Sequence, residues 1–432
     1  MPSLPLQPIA RPVIATWTVP GSKSITNRAL VLAALAEGTT VIENVLDSDD
    51  TQRMRECLRA LGIAIREISS PKPGGGLVSS LIVDGGRSRL RPPAEPLFVG
   101  NSGTTVRFLA ALAALVPGPV TLIGNQAMAK RPIDDLIAGL RQLGIRVDCE
   151  TGCPPLTVHG GRIPGGTVRM RGDRSSQYFS ALLMATSLAE GDVAISIDGE
   201  LVSRPYVAMT ARMIADFGGR VDDIPDGGLR VKQAAGYRAR SYYVEPDASA
   251  ASYPFALAMA TGSTITVPGL TPASLQGDYA FVNVCERMGG RVLVQGNCTT
   301  LTGPRTLPGI DEDMHHISDT VMSLAAIAPL AVGPTTIRNV ANIRIKECDR
   351  LLATVTELQR LGQQVEHGED WLTISPNPVT PASVHCYDDH RIAMSFAILG
   401  CARPGVVIAD PLCVAKTYPR FFDDLRVVLG QG

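Results

Sequence analysis

Apolar positions along this chain fall into six like blocks. Each block is a run spaced for a helix that ends near a Gly and passes into a short β-branched stretch. The blocks are ALVLAALAEGTTVIENV, LAALAALVPGPVTLIGN, ALLMATSLAEGDVAISIDG, PFALAMATGSTITVPGL, LAAIAPLAVGPTTIRNV and FAILGCARPGVVIAD. Their glycines are Gly38, Gly118, Gly191, Gly262, Gly333 and Gly405, separated by 80, 73, 71, 71 and 72 residues. A second, amphipathic helix follows each strand and again stops at Gly, as in RPIDDLIAGLRQLGIRV and ATVTELQRLGQQVE. A unit that alternates helix and strand over this length predicts a βαβαββ module. The sixth copy stops after FFDDLRVVLG.

Known solenoid and propeller periods are much shorter than about 72 residues. A chain of 432 residues is too long for one ordinary core, so six units predict two domains of three. The boundary is expected near Tyr242 to Pro246. An opening strand, Ile9 to Thr18, precedes the first polar motif, and its pattern does not say which domain it joins.

The first helix of each unit opens on a polar cluster. These are Gly21-Ser22-Lys23-Ser24, Gly100-Asn101-Ser102-Gly103-Thr104, Ser175-Ser176-Gln177, Asp247-Ala248-Ser249, Ser318-Asp319-Thr320 and Asp389-His390-Arg391. Several second helices do the same, with Lys130-Arg131-Pro132, Ser203-Arg204-Pro205-Tyr206, Lys346-Glu347-Cys348-Asp349-Arg350 and Lys416-Thr417-Tyr418-Pro419. Ser, Thr and Asp there are ordinary N-caps. Lys and Arg are not explained by capping, because cations oppose the helix dipole at that end. Lys23, Arg28, Arg131, Lys346, Arg350, Arg391 and Lys416 at helix starts therefore point to binding of anions.

Composition narrows the partner. With 40 Lys+Arg against 41 Asp+Glu the net charge is -1, so nothing global suggests a nucleic acid or an anionic membrane. The opening MPSLPLQPIARP has no apolar core of a leader, no apolar run is long enough to span a bilayer, and a cytosolic protein is expected. Nine scattered cysteines read as free thiols, and Cys149 with Cys153 lacks the partners of a zinc set. The stretch around Lys23 lacks the glycine that a P-loop places directly before its lysine. His315-His316 reads as structural, and no metal or cofactor is expected.

Taken together, PGSKSITNRAL, GNSGTTVRFL, KRPIDDL, SSQYFSALLMA, LVSRPY, IKECDRL, DDHRIAMSF and AKTYPRFF resemble, in order and spacing, the EPSP synthase family of enolpyruvyl transferases, the 3-phosphoshikimate 1-carboxyvinyltransferases. The resemblance implies an α/β fold of two domains, each of three βαβαββ units about a pseudo-threefold axis. This is an inside-out α/β barrel with its helices inward. It implies domains of 21–244 and of 1–20 plus 245–432, with the active site in the cleft between them. The opening strand then joins the second domain.

The implied activity moves the enolpyruvyl group of phosphoenolpyruvate onto the 5-hydroxyl of shikimate 3-phosphate by addition and elimination, on a monomer with two small-molecule substrates. The implied shikimate 3-phosphate site is Lys23, Ser24, Arg28, Ser175, Ser176, Gln177, Ser203, Asp319, Asn342 and Lys346. The implied phosphoenolpyruvate site is Lys23, Asn101, Gly103, Arg131, Gln177, Glu347, Arg350, Arg391 and Lys416. Lys23, Asp319 and Glu347 carry the chemistry, with Asp319 as base on the hydroxyl and Glu347 as proton carrier at C3. Gly103, lacking a methyl that would crowd the donor, implies sensitivity to glyphosate. Phe108, Cys348 and Asp388 depart from common family forms without removing a catalytic charge. A UDP-N-acetylglucosamine enolpyruvyltransferase would carry a Cys where GNQAMAKRPID has none. A non-catalytic anion-binding relative would not need Lys23, Asp319 and Glu347. An RNA 3′-phosphate cyclase-like protein would need a basic RNA surface.

Overall fold

A computed structural model describes residues 3–71, 77–224 and 227–430. The chain divides into two compact units, Gly21–Val244 and Met1–Pro20 with Glu245–Gly432. Twelve α-helices occur among the described residues, two for each predicted repeat. They are α1 (Lys23–Leu35), α2 (Asp49–Ala60), α3 (Gly103–Ala113), α4 (Asp134–Gln142), α5 (Ser176–Thr186), α6 (Arg204–Asp216), α7 (Ala248–Thr261), α8 (Phe281–Arg287), α9 (Val321–Ile327), α10 (Arg350–Arg360), α11 (His390–Ala402) and α12 (Phe421–Val428).

The odd-numbered helices up to α11, except α9, are 11 to 14 residues long and buried almost end to end. Helix α9 is shorter and wholly buried. Their sequences explain this. Ala, Leu, Ile, Val and Phe occur all round each helix, and such a helix is stable only inside a core. In the first unit α3 packs on α5 and on α1. In the second, α7, α9 and α11 pack on one another. The even-numbered helices bury one face only, as α2 does with Met54, Cys57 and Leu58.

Strands lie outside these helices in separate sheets that share one plan. In the second repeat Leu97–Phe98 runs parallel to Pro119–Ile123, and the hairpin strands Leu156–His159 and Arg146–Asp148 follow antiparallel. Gly166–Arg171, Val193–Asp198, Leu229–Lys232 and Arg220–Asp223 repeat the order. Outward and inward positions alternate, as expected of a sheet with one solvated face. This is the predicted βαβαββ module, with helices inward and sheets outward.

Three features of the strands go beyond the sequence reading. The expected opening strand is shorter, Ile14–Thr16, and pairs in parallel with Thr264–Pro268 of the second unit. Pro8 and Pro12 lack the N–H that a longer ladder needs. The matching place in the first unit is taken by Ser241–Tyr243, from the end of the third repeat, parallel to Val41–Glu43. The truncated sixth repeat is completed from the far terminus. Leu4–Pro5 pairs antiparallel with Val407–Ile408, beside Ala382–Val384.

Candidate active site

Within the unit Gly21–Val244, the polar residues stand at the N-termini of the buried helices. Ser22, Ser102 and Ser175 cap α1, α3 and α5 by accepting from Ile25, Thr105 and Gln177 backbone N–H groups. The capping reading is therefore correct for the serines. The cations need separate partners. Lys23 Nζ lies 3.2 Å from Asp50 Oδ2, and Asp50 is nearly buried at the start of α2. The Asp50 carbonyl also accepts from Thr105 Oγ1 at 3.3 Å, tying the starts of α1, α2 and α3 together.

Arg131 closes over the start of α3. Its Nη1 donates to the Asn101 carbonyl at 3.1 Å and to Asn101 Oδ1 at 3.4 Å. A methyl built on Gly103 would stand 2.4 Å from Arg131 Nη2 and 3.0 Å from Arg107 Nη1, so a larger residue would shift the Arg131 guanidinium from this place. Arg107 Nη1 donates to Gln177 Oε1 at 2.7 Å, and Gln177 Nε2 to Thr104 Oγ1 at 3.4 Å. Tyr178 Oη donates to the Pro132 carbonyl at 2.6 Å and braces the Arg131 turn. Asn101, Gly103, Arg131 and Gln177 are thus brought together, with a second guanidinium that sequence reasoning passed over. A signal was available: Arg107 is the sole charge in an apolar, buried helix.

Arg28 stands differently from the other cations. It is fully buried and makes four hydrogen bonds, to Thr210 Oγ1 at 2.7 Å, Ser24 O at 3.0 Å, Ser180 Oγ at 3.0 Å and Tyr206 O at 3.5 Å. Phe108, one of the unusual positions, lies under its guanidinium, 5.1 Å from the ring centre. Burial draws its pKa down to about 10. Arg28 therefore links α1, α5 and α6 and keeps few donors for a ligand. Ser203, which precedes α6, is buried and adopts a left-handed backbone, φ 50° and ψ 41°, uncommon for Ser. Ser24 is half-buried, and Ser176 is buried at the first position of α5.

The second unit gathers its residues into one ion-pair network. Arg350, with 2% of its side chain exposed, meets three carboxylates. These are Asp389 at 2.7 Å, Glu347 at 2.7 Å and Asp319 at 3.2 Å. Asp319 also meets Arg391 at 2.8 Å and Lys346 at 3.7 Å. Burial alone would push the Asp319 carboxyl up, but Arg391, Lys346 and Arg350 outweigh it and hold the group far below the usual carboxylate range. Burial opposes the Arg350 charge, yet Asp389, Glu347 and Asp319 hold that guanidinium protonated well above its ordinary value.

Asn342 Nδ2 donates to Ser318 Oγ at 2.9 Å, next to Asp319 in sequence. Lys416 ends the turn Pro411–Lys416 and is nearly buried. Asp389, which the sequence suggested only as a helix cap, does cap α11 through the Arg391 N–H, and it is also a partner of Arg350. Tyr387 and Asp388 just before it have φ of 56° and 54°. His315 and His316 meet edge to face at 5.0 Å. No group of three His, Cys, Asp or Glu suited to a metal occurs among the described residues.

Each unit of repeated βαβαββ modules thus carries guanidiniums at its helix starts, and in the second unit they surround an ionised carboxylate. The family model for EPSP synthase (3-phosphoshikimate 1-carboxyvinyltransferase) matches residues 9–425, and the chain belongs to that family. It is 44% identical over 433 residues to the 3-phosphoshikimate 1-carboxyvinyltransferase of Trichormus variabilis, covering all of both chains. It is also 44% identical to the enzyme of that name from Yersinia pestis, covering 98% of this chain and 97% of the relative. The structure of an EPSP synthase from Acinetobacter baumannii superposes with a TM-score of 0.80 at 24% identity, over 99% of this chain and 98% of that one. That likeness concerns the fold. No helix among the described residues is long and apolar enough to cross a membrane.

Proposed function

We propose that this chain transfers the enolpyruvyl group of phosphoenolpyruvate to the 5-hydroxyl of shikimate 3-phosphate, releasing phosphate. The observation that carries the reading is Asp319, an ionised carboxylate ringed by Arg350, Arg391 and Lys346. A reaction between two multiply charged anions needs such a group. It needs cations that offset the repulsion of the substrates, and a base among them that stays ionised.

The step runs as follows. The 5-hydroxyl oxygen attacks C2 of phosphoenolpyruvate while its proton passes to Asp319. Glu347, displaced from Arg350 by the donor and protonated from solvent, delivers that proton to C3, which becomes a methyl group in a tetrahedral phospho-ketal. In the second half C3 returns a proton to Glu347, and the C2–O bond to phosphate breaks. The proton on Asp319 leaves with the phosphate, with Lys23 assisting at that oxygen. Proximity of the two reactants does much of the rest.

Asp319 held by three cations is a weak base. Substrate carboxylate and phosphate groups compete for Arg391, Arg350 and Lys346, and each cation drawn away makes the carboxylate more basic. In this reading Arg131, Arg350, Arg391 and Lys416 hold the donor, with Asn101, Gly103 and Gln177 beside it. Ser24, Ser175, Ser176, Ser203, Asn342 and Lys346 hold the acceptor, and Lys23 serves both. Arg28 serves the acceptor chiefly by holding Ser24 and the start of α6 in place. The work is assigned to a cytoplasmic monomer, because both substrates are small and the chain itself supplies acid, base and cations.

The test is phosphate release from phosphoenolpyruvate with and without shikimate 3-phosphate. Release only when both are present is expected. Release from phosphoenolpyruvate alone, or none with both, overturns the reading.

A further inference from the structure

Three carboxylates surround Arg350, and they differ in access. Asp389 is wholly buried, whereas 8% of the Glu347 side chain and 18% of the Asp319 side chain are exposed. Asp389 holds the guanidinium along one edge, accepting from Nε at 2.7 Å and Nη2 at 3.3 Å. The same carboxylate accepts the Arg391 backbone N–H at 2.9 Å and so begins α11. Cys348 Sγ adds a weak contact at 3.6 Å. Glu347 and Asp319 take the other side of the guanidinium, at Nη2 and Nη1.

A planar guanidinium fixed along its Nε–Nη2 edge keeps its plane and presents its Nη1–Nη2 end in a set direction. An entering anion reaches the edge held by Asp319 and Glu347. It does not reach the edge closed by Asp389. We propose that Asp389 is the positioning residue for anion binding in this unit. It orients Arg350 through the guanidinium and Arg391 through the start of α11, while Asp319 and Glu347 are exchangeable counter-ions that the donor's anionic groups displace. The inference rests on the reading that this network binds phosphoenolpyruvate. Once Asp319 and Glu347 are displaced, Asp389 is the counter-ion left in place on Arg350.

The experiment compares wild type with Asp389→Asn, which keeps a helix-capping oxygen but loses the charge. Wild-type turnover is measured first. A wild type that makes no product counts against the functional reading itself and is distinguishable from any effect of the variant. With an active wild type, Asp389→Asn is expected to raise KM for phosphoenolpyruvate about tenfold or more. KM for shikimate 3-phosphate should change less than about twofold, and kcat should fall less than the donor KM rises. In the background of Arg350→Gln, adding Asp389→Asn should raise the donor KM by less than half as much, because the residue acts largely through Arg350. Equal shifts in both KM values, an unchanged donor KM, or additive effects in the double variant would overturn the proposal. If Asp389→Asn does not fold, Asp389→Glu keeps the charge but displaces the fork. It must then show the same donor-selective rise, and parallel rises for both substrates reject the proposal.

Discussion

The polar clusters of the two units hold their cations in opposite ways. In Glu245–Gly432 nearly every guanidinium has a carboxylate: Arg350 has three and Arg391 has Asp319. In Gly21–Val244, Arg107 and Arg131 converge on Gly103 and bond to the neutral groups of Gln177 and Asn101. Lys23 there lies beside Asp50. The first arrangement carries charge that an incoming anion must exchange, which suits proton transfer. The second sets guanidiniums beside neutral hydrogen-bonding groups and helix N–H groups, an arrangement that suits binding. Substitutions in the two regions should therefore fail differently.

The largest effect is expected at Asp319. Asp319→Ala should lower kcat by about 100-fold or more, with both KM values moving far less. Near-normal turnover in steady-state assays would remove it as the base. Next comes Arg131→Ala, which should raise KM for phosphoenolpyruvate roughly 10- to 100-fold, as loss of a charge-assisted contact does, and lower kcat less. A rise confined to shikimate 3-phosphate would reject that assignment. Gly103→Ala tests the same region more gently. Its methyl must push the Arg131 guanidinium aside, so a several-fold rise in the donor KM is expected, smaller than for Arg131→Ala. An unchanged donor KM would mean that Arg131 is not needed where it stands.

Arg28→Lys separates grip from scaffold. With its fork buried among Thr210, Ser180 and Tyr206, the change should cost about 2–3 kcal/mol in urea unfolding. KM for shikimate 3-phosphate should rise less than the donor KM rises in Arg131→Ala. A large rise without loss of stability would make Arg28 a direct ligand.

The smallest effect concerns acid. The folded Asp319 carboxyl ionises below its unfolded value, so its ion pairs contribute stability above about pH 4. That contribution fades only as pH falls toward the lower folded value. The stability gap between wild type and Asp319→Asn should therefore be constant from pH 7 to about 4 and shrink below it. A gap that narrows already between pH 7 and 5 would contradict the pairing.

Much of this architecture could be read from the chain because each repeat is a local statement. Apolar faces set the buried helices, amphipathic faces the outer ones, and Gly the stops. Strand origins were less legible. Pairing of Ser241–Tyr243 with Val41–Glu43, or of Leu4–Pro5 with Val407–Ile408, joins segments that local pattern does not relate. The polar site divides in the same way. Lys23, Arg131 and Arg350 stand out because cations at helix starts need a reason. Asp389 looked like a cap, and it is one, so its hold on Arg350 lay hidden behind an ordinary role. Arg107 was passed over, and its partner Gln177 lies 70 positions away. Arg28 shows the converse, since a charge in a motif does not reveal that the surrounding core has already satisfied most of its donors.

In the proposed reaction, addition before elimination makes C3 of the donor a methyl group for a moment, with a proton drawn through Glu347. Running the reaction in heavy water and analysing the vinyl group of the product by NMR tests that step directly. The account predicts deuterium at the vinyl carbon of the product. A product formed at normal rate with no deuterium there would contradict it.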